Sequence, residues 1–181
     1  MNSATNPTAR RATRRTLTAA LLGATALCAV LGTTAAAAQP AERPAGPCLP
    51  KVVTAWAGAW NGTDPQALGA LFTADSTYTD QGLGVTFHGR QEIAGWKART
   101  DSLIENVHVT VEAVHQDGSH LTVEALYAGH LKGAPEPFAV PMATLLDLGE
   151  HHLIAADQDY YSLTSVLAQS GLPADWTPPT H

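Results

Sequence analysis

The sequence predicts an α+β domain, a curved antiparallel sheet closed by three N-terminal helices. Three observations predict it. Apolar residues recur at helical spacing from Val52 to Leu103, then alternate from Val107 onward. Asp117-Gly118 lies between two alternating runs and is a strong two-residue hairpin signal. Helical segments come first and long strands follow, the order of a domain whose helices gather on one face of an antiparallel sheet.

Each element follows in turn. Val52 to Asn61 reads as a helix with Val52, Val53, Trp56 and Trp60 on one side, stopped by Gly62-Thr63. Asp64-Pro65 restarts a helix, Asp64 as N-cap and Pro65 at the first helical position, running through Leu68, Leu71 and Phe72. Ser76 to Asp80 and Val85 to His88 are short strands, and Arg90 to about Ile104 is a third helix carrying Ile93, Trp96 and Leu103. Val107 to Ala113 and Leu121 to Tyr127 alternate as strands on either side of Asp117-Gly118. Phe138 to Leu148 and His152 to Tyr161 add two more long strands, and Ser162 caps a last helix ending at Gln169 before Gly171 and Pro173.

The ends read differently. Residues 1–38 have the form of an export signal: Arg10, Arg11, Arg14 and Arg15, an apolar run from Leu17 to Leu31, and Ala36-Ala37-Ala38 as a cleavage site. Thr13 to Leu17 resembles a twin-arginine signal. The apolar run is shorter than the roughly 20 residues of a spanning helix. The expectation is a secreted protein, cleaved near Ala38 and free of the membrane afterwards. A Pro-rich leader follows at 39–50, the domain occupies 51–172, and 173–181 is an irregular tail.

Cleavage changes the charge. The chain has 10 Lys and Arg against 16 Asp and Glu. Losing four arginines leaves six basic residues and a net charge of −10, which excludes an electrostatic footprint for nucleic acid. Of the two cysteines only Cys48 remains, so no internal disulfide holds the domain. No Gly-rich phosphate loop and no G-x-S-x-G is present, so no nucleotide cofactor or nucleophilic serine is expected.

Candidate site residues come from strand alternation. Tyr78 and Asp80 share one face of a strand, and Asp157 and Asp159 share one face of another. A carboxylate facing an apolar cavity rises in pKa towards the range of a general base, and two in one pocket divide into acid and base. Asp80 is either the base or a carboxylate capping the Gly82–Gly84 bend. Asp159 is either its partner or a residue serving the helix start near Ser162, and Tyr78 either an orienting donor or a space-filling phenol. Trp56, Trp96, Tyr127, His88 and Asp157 are the expected substrate contacts. The histidine pairs His115/His120 and His151/His152 supply no three convergent ligands, so no metal is expected.

The element order, with the strings FTADSTYTD at 72–80 and QDYYSL at 158–163, resembles the nuclear-transport-factor-2-like superfamily, a cystatin-like α+β barrel shaped as a cone. The resemblance spans about residues 51–172. In it Asp80 falls on the general base of ketosteroid isomerase, and Asp159 on the acid/base carboxylate of limonene epoxide hydrolase. Trp56 stands where the isomerase has its oxyanion tyrosine. Ala125 and Tyr127 stand where the hydrolase has an arginine and a second aspartate. The resemblance therefore points to the SnoaL-like polyketide cyclase group. It implies cofactor-independent isomerisation, cyclisation, dehydration or epoxide opening on a small hydrophobic molecule, or a non-catalytic binding module. A third reading is a dimerising scaffold that uses the outer sheet face bearing Thr110, Glu112, Thr122 and Glu124, since such relatives often form homodimers.

Overall fold

The computed structural model describes residues 49–177. The expected export signal at 1–38, nearly all of the expected leader and the last four residues of the tail lie outside the described residues. No helix among those described is long and apolar enough to cross a membrane.

Helix α1, Lys51–Asn61, buries Val53, Trp56, Ala59 and Trp60. That spacing follows one stripe of a 3.6-residue period. Asp64 accepts a hydrogen bond from the Gln66 N–H and starts α2, Pro65–Gly69. This helix is shorter than the sequence predicts. Phe72 is not helical but opens strand β1, Phe72–Asp80, because the chain pairs with a distant strand at Ile154. Strand β2, Val85–His88, folds back on β1. Helix α3, Gly89–Leu103, buries Ile93, Ala94, Lys97 and Thr100 and packs on β1.

The long strands follow: β3 at Ile104–Asp117, β4 at His120–Leu131, β5 at Phe138–Leu148 and β6 at Ile154–Tyr161. Gly118 takes φ of +60° in the β3–β4 turn, a conformation other residues adopt only with strain. Helix α4, Leu163–Gln169, is capped by Ser162 and packs on β5.

The six strands form one curved, unclosed sheet in the order β2-β1-β6-β5-β4-β3. The last four strands pair antiparallel, as the alternation and the hairpin predict. One pairing is different: β1 and β6 run parallel, with Tyr78 opposite Asp157 and Asp80 opposite Asp159. The core between sheet and helices includes Trp56, Leu68, Phe72, Tyr78, Val123 and Leu146, each fully or nearly fully buried. The parallel seam carries its carboxylates into that core.

Candidate functional site

Alternation decides which side chains of the seam point inward. Along β1, Ser76, Tyr78 and Asp80 are buried, and along β6, Asp157 and Asp159 are buried. Register then places Asp80 beside Asp159. Each carboxylate is held by a tyrosine from the other strand. Tyr78 donates to Asp159 Oδ2 at 2.6 Å, and Tyr161 donates to Asp80 Oδ2 at 3.0 Å. The remaining oxygens are also engaged. Thr144 of β5 donates to Asp159 Oδ1 at 2.5 Å, and the Leu83 N–H donates to Asp80 Oδ1 at 2.9 Å.

Gly82 makes one of these contacts possible. A Cβ there would lie 2.7 Å from the Tyr161 ring, so only glycine lets the phenol reach Asp80.

Asp80, Asp159, Tyr78, Tyr161 and Tyr127 line a cavity of about 130 Å³. Its walls are otherwise largely apolar, with Trp60, Trp96, Ile104, Phe138, Met142 and Leu167 among them. Tyr127 packs edge-on against both Phe138 and Tyr161. Its hydroxyl has no hydrogen bond among the described residues, so it is the phenol free to meet a ligand.

Burial governs the charge of the site. It raises the Asp80 carboxyl, opposed by the hydrogen bonds from Leu83, Tyr161 and Gly82. Burial raises Asp159 to about 6, opposed by Thr144 and Tyr78 and assisted by the charge of Asp80. A carboxylate near 6 is ionised at neutral pH yet basic enough to take a proton from a weak carbon acid. Burial, with the neighbouring aspartates, pushes Tyr78 and Tyr161 well up, so both phenols keep their protons and act as donors. Tyr127 is raised by the same causes.

Asp157 behaves differently. It is fully buried, takes the Trp56 indole N–H on Oδ2 at 3.0 Å, and is raised well above the carboxylate range by burial and then by Asp159. Its other oxygen, Oδ1, is buried with no hydrogen-bond partner among the described residues, which adds to the pressure against its charge.

The structure thus separates the sequence-predicted residues. Asp80, Asp159, Tyr78, Tyr127 and Trp96 converge on one cavity. Trp56 and Asp157 do not line it; they form a buried pair behind Asp159, because Trp56 turns its indole N–H to the carboxyl. His88 is exposed at the end of an edge strand, where its main-chain N–H donates to Glu92 at the start of α3.

Sequence reasoning missed Tyr161, Thr144 and Lys97. Tyr161 lies two residues beyond Asp159, the same spacing that joins Tyr78 to Asp80, so alternation could have found it. Thr144 meets Asp159 only through the β5–β6 register. Lys97, fully buried on α3, binds Asp101 at 2.6 Å and the Gly62 carbonyl at 2.9 Å. No group of His, Cys, Asp and Glu among the described residues could hold a metal ion.

Comparison with known proteins adds the lineage. The family model described as SnoaL-like domain matches residues 53–156. A structure of a protein with a ketosteroid isomerase-like fold from Catenulispora acidiphila, in complex with trimethylamine, is 64% identical. It covers 72% of this chain and all of its own, with a TM-score of 0.71. A protein described as a SnoaL-like polyketide cyclase from Shewanella denitrificans is 16% identical over 65% of this chain and 93% of its own, with a TM-score of 0.57. An LEH-like epoxide hydrolase from M. tuberculosis is 18% identical over 65% and 85%, with a TM-score of 0.56. The last two share the fold alone. No curated protein matches the chain.

Proposed function

This chain belongs to the SnoaL-like domain family, and from that premise we propose that it is a cofactor-independent acid/base enzyme acting on a small molecule in the cavity. One observation carries the reading. Asp80 and Asp159 stand side by side in an apolar cavity, each with both oxygens held and each raised by burial. Such a pair moves a proton within one site: one carboxylate removes it, and the carboxyl so formed, or its neighbour once the proton has passed across, returns it. Asp80 is the base and Asp159 its partner. Tyr78 orients Asp159 and keeps its own proton. Tyr127 supplies the hydrogen bond that a carbonyl or epoxide oxygen needs as charge develops on it. Isomerisation, aldol-type cyclisation, dehydration and epoxide opening all fit this set.

A second reading is a binding module without turnover. Two observations favour it: Tyr78 and Tyr161 are engaged by carboxylates, leaving one phenol for an oxyanion, and the 64% identical relative holds trimethylamine. A compact occupant of that kind suits the size of this cavity. We place the protein outside the cytoplasm on the strength of residues 1–38, cleaved near Ala38, and assign self-association to the outer sheet face, where Leu145 and Tyr160 are also exposed.

The test is a screen of enolisable ketones and epoxides against the wild type and Asp80→Asn. Turnover lost on substitution supports catalysis. Ligand binding with no turnover by either protein supports the module.

A further inference from the structure

The cavity has an unbalanced charge. Two carboxylates face it, and no lysine, arginine or histidine lines it. The buried cation, Lys97, lies 5.9 Å from the Trp60 ring centroid but is neutralised by Asp101 and does not line the space. A buried carboxylate without a countercharge is costly, and the cost is relieved by a proton or by a cation brought in from outside.

The walls decide what sort of cation suits. Metal ions and primary ammonium groups need several oxygen ligands or acceptors. Here the carboxylate oxygens already accept hydrogen bonds, and the other walls are aromatic or aliphatic. A quaternary ammonium needs neither, and a tertiary one needs a single acceptor for its N–H. In both, the charge lies beneath carbon substituents that pack on apolar surface, and aromatic faces attract it. The rings of Trp60, Trp96, Tyr127 and Tyr161 belong to the same cavity as Asp80 and Asp159.

We propose that the cavity takes an organic cation, a tertiary or quaternary alkylammonium group, held by the Asp80–Asp159 pair and the surrounding aromatic rings. This names the ligand class of the site proposed above and rests on that reading. A second polar contact is available to the rest of such a ligand. The Trp60 indole N–H and the Thr100 hydroxyl, both in side chains that line the cavity and are about 95% buried, have no partner among the described residues. An ether, hydroxyl or carbonyl oxygen on a short arm would satisfy either.

Calorimetry with two probes of similar size tests the proposal on the intact protein. Tetramethylammonium carries a permanent charge; tert-butanol carries none. The expected result is binding of tetramethylammonium at least about tenfold tighter than tert-butanol, with the preference lost in the Asp80→Asn, Asp159→Asn double variant. Equal or tighter binding of tert-butanol by the wild type overturns the cation and leaves the pocket standing. Binding of neither probe overturns both the cation and the pocket. The wild-type comparison decides the matter even if the double variant fails to fold.

Discussion

Two regions of this sheet use the same device and obtain different results. At the β1–β6 seam, Tyr78 meets Asp159 and Tyr161 meets Asp80 across strands, inside the domain. In the β3–β4–β5 meander, His120 meets Asp147 at 2.5 Å and His115 meets Glu124 at 3.3 Å, all largely exposed. Each pairing joins a carboxylate to a ring side chain across a strand boundary. Water screens the second set, so its pairs contribute little. Burial removes water from the first set, raises its carboxyls and makes every hydrogen bond count. Acidic residues become a candidate site through their surroundings rather than their number.

The contrast breaks most sharply at the base. Asp80→Asn should reduce turnover of a responsive substrate by about a hundredfold or more, while His120→Ala leaves it unchanged, as steady-state kinetics would show. A pH titration of stability comes next. Asp159 sits near 6 in the folded chain and near the usual value of about 3.9 when unfolded. Between those values the unfolded state has lost its proton and the folded state keeps it. Stability is therefore greatest below about pH 4 and falls as pH rises to about 6, by on the order of 3 kcal/mol from this group. Urea denaturation across that window should show the slope in the wild type and a flatter one in Asp159→Asn.

Smaller effects sharpen the same comparison. Gly82→Ala drives a methyl against the Tyr161 ring and should cost about 1–3 kcal/mol in chemical denaturation. Tyr161→Phe removes a donor that holds the Asp80 carboxyl down, so that carboxyl should rise further, with a stability loss of about 1 kcal/mol. His115→Ala and His120→Ala at the exposed pairs should stay within about 0.5 kcal/mol of the wild type in thermal melts.

Much of the fold was legible because periodicity is local. The helical stripe of Val53, Trp56 and Trp60, the cap at Asp64 and the turn at Gly118 each lie within a few residues of the signals that specify them. The parallel pairing of β1 and β6 was not legible, since about 80 residues separate Asp80 from Asp159 and only the assembled sheet sets their register. That gap explains why the expected site residues do not all meet in one cavity. Alternation turned Asp157 inward, as expected. It could not tell a cavity wall from the layer behind it, where Trp56 takes up the carboxyl. His88 drew attention by nearness in sequence to Asp80, yet an edge strand leaves it in solvent. Tyr161 was within reach of the same alternation rule and follows Asp159 as Tyr78 precedes Asp80.

The central claim is that the seam holds two desolvated carboxylates facing one cavity. Carboxyl-detected NMR titration of the aspartates, assigned with Asp80→Asn and Asp159→Asn, tests it without a substrate. The account predicts both carboxyls above the usual aspartate range, Asp159 near 6. Values at or below about 3.9 for both would place them in water or in ordinary turn contacts, and the acid/base site would have to be abandoned.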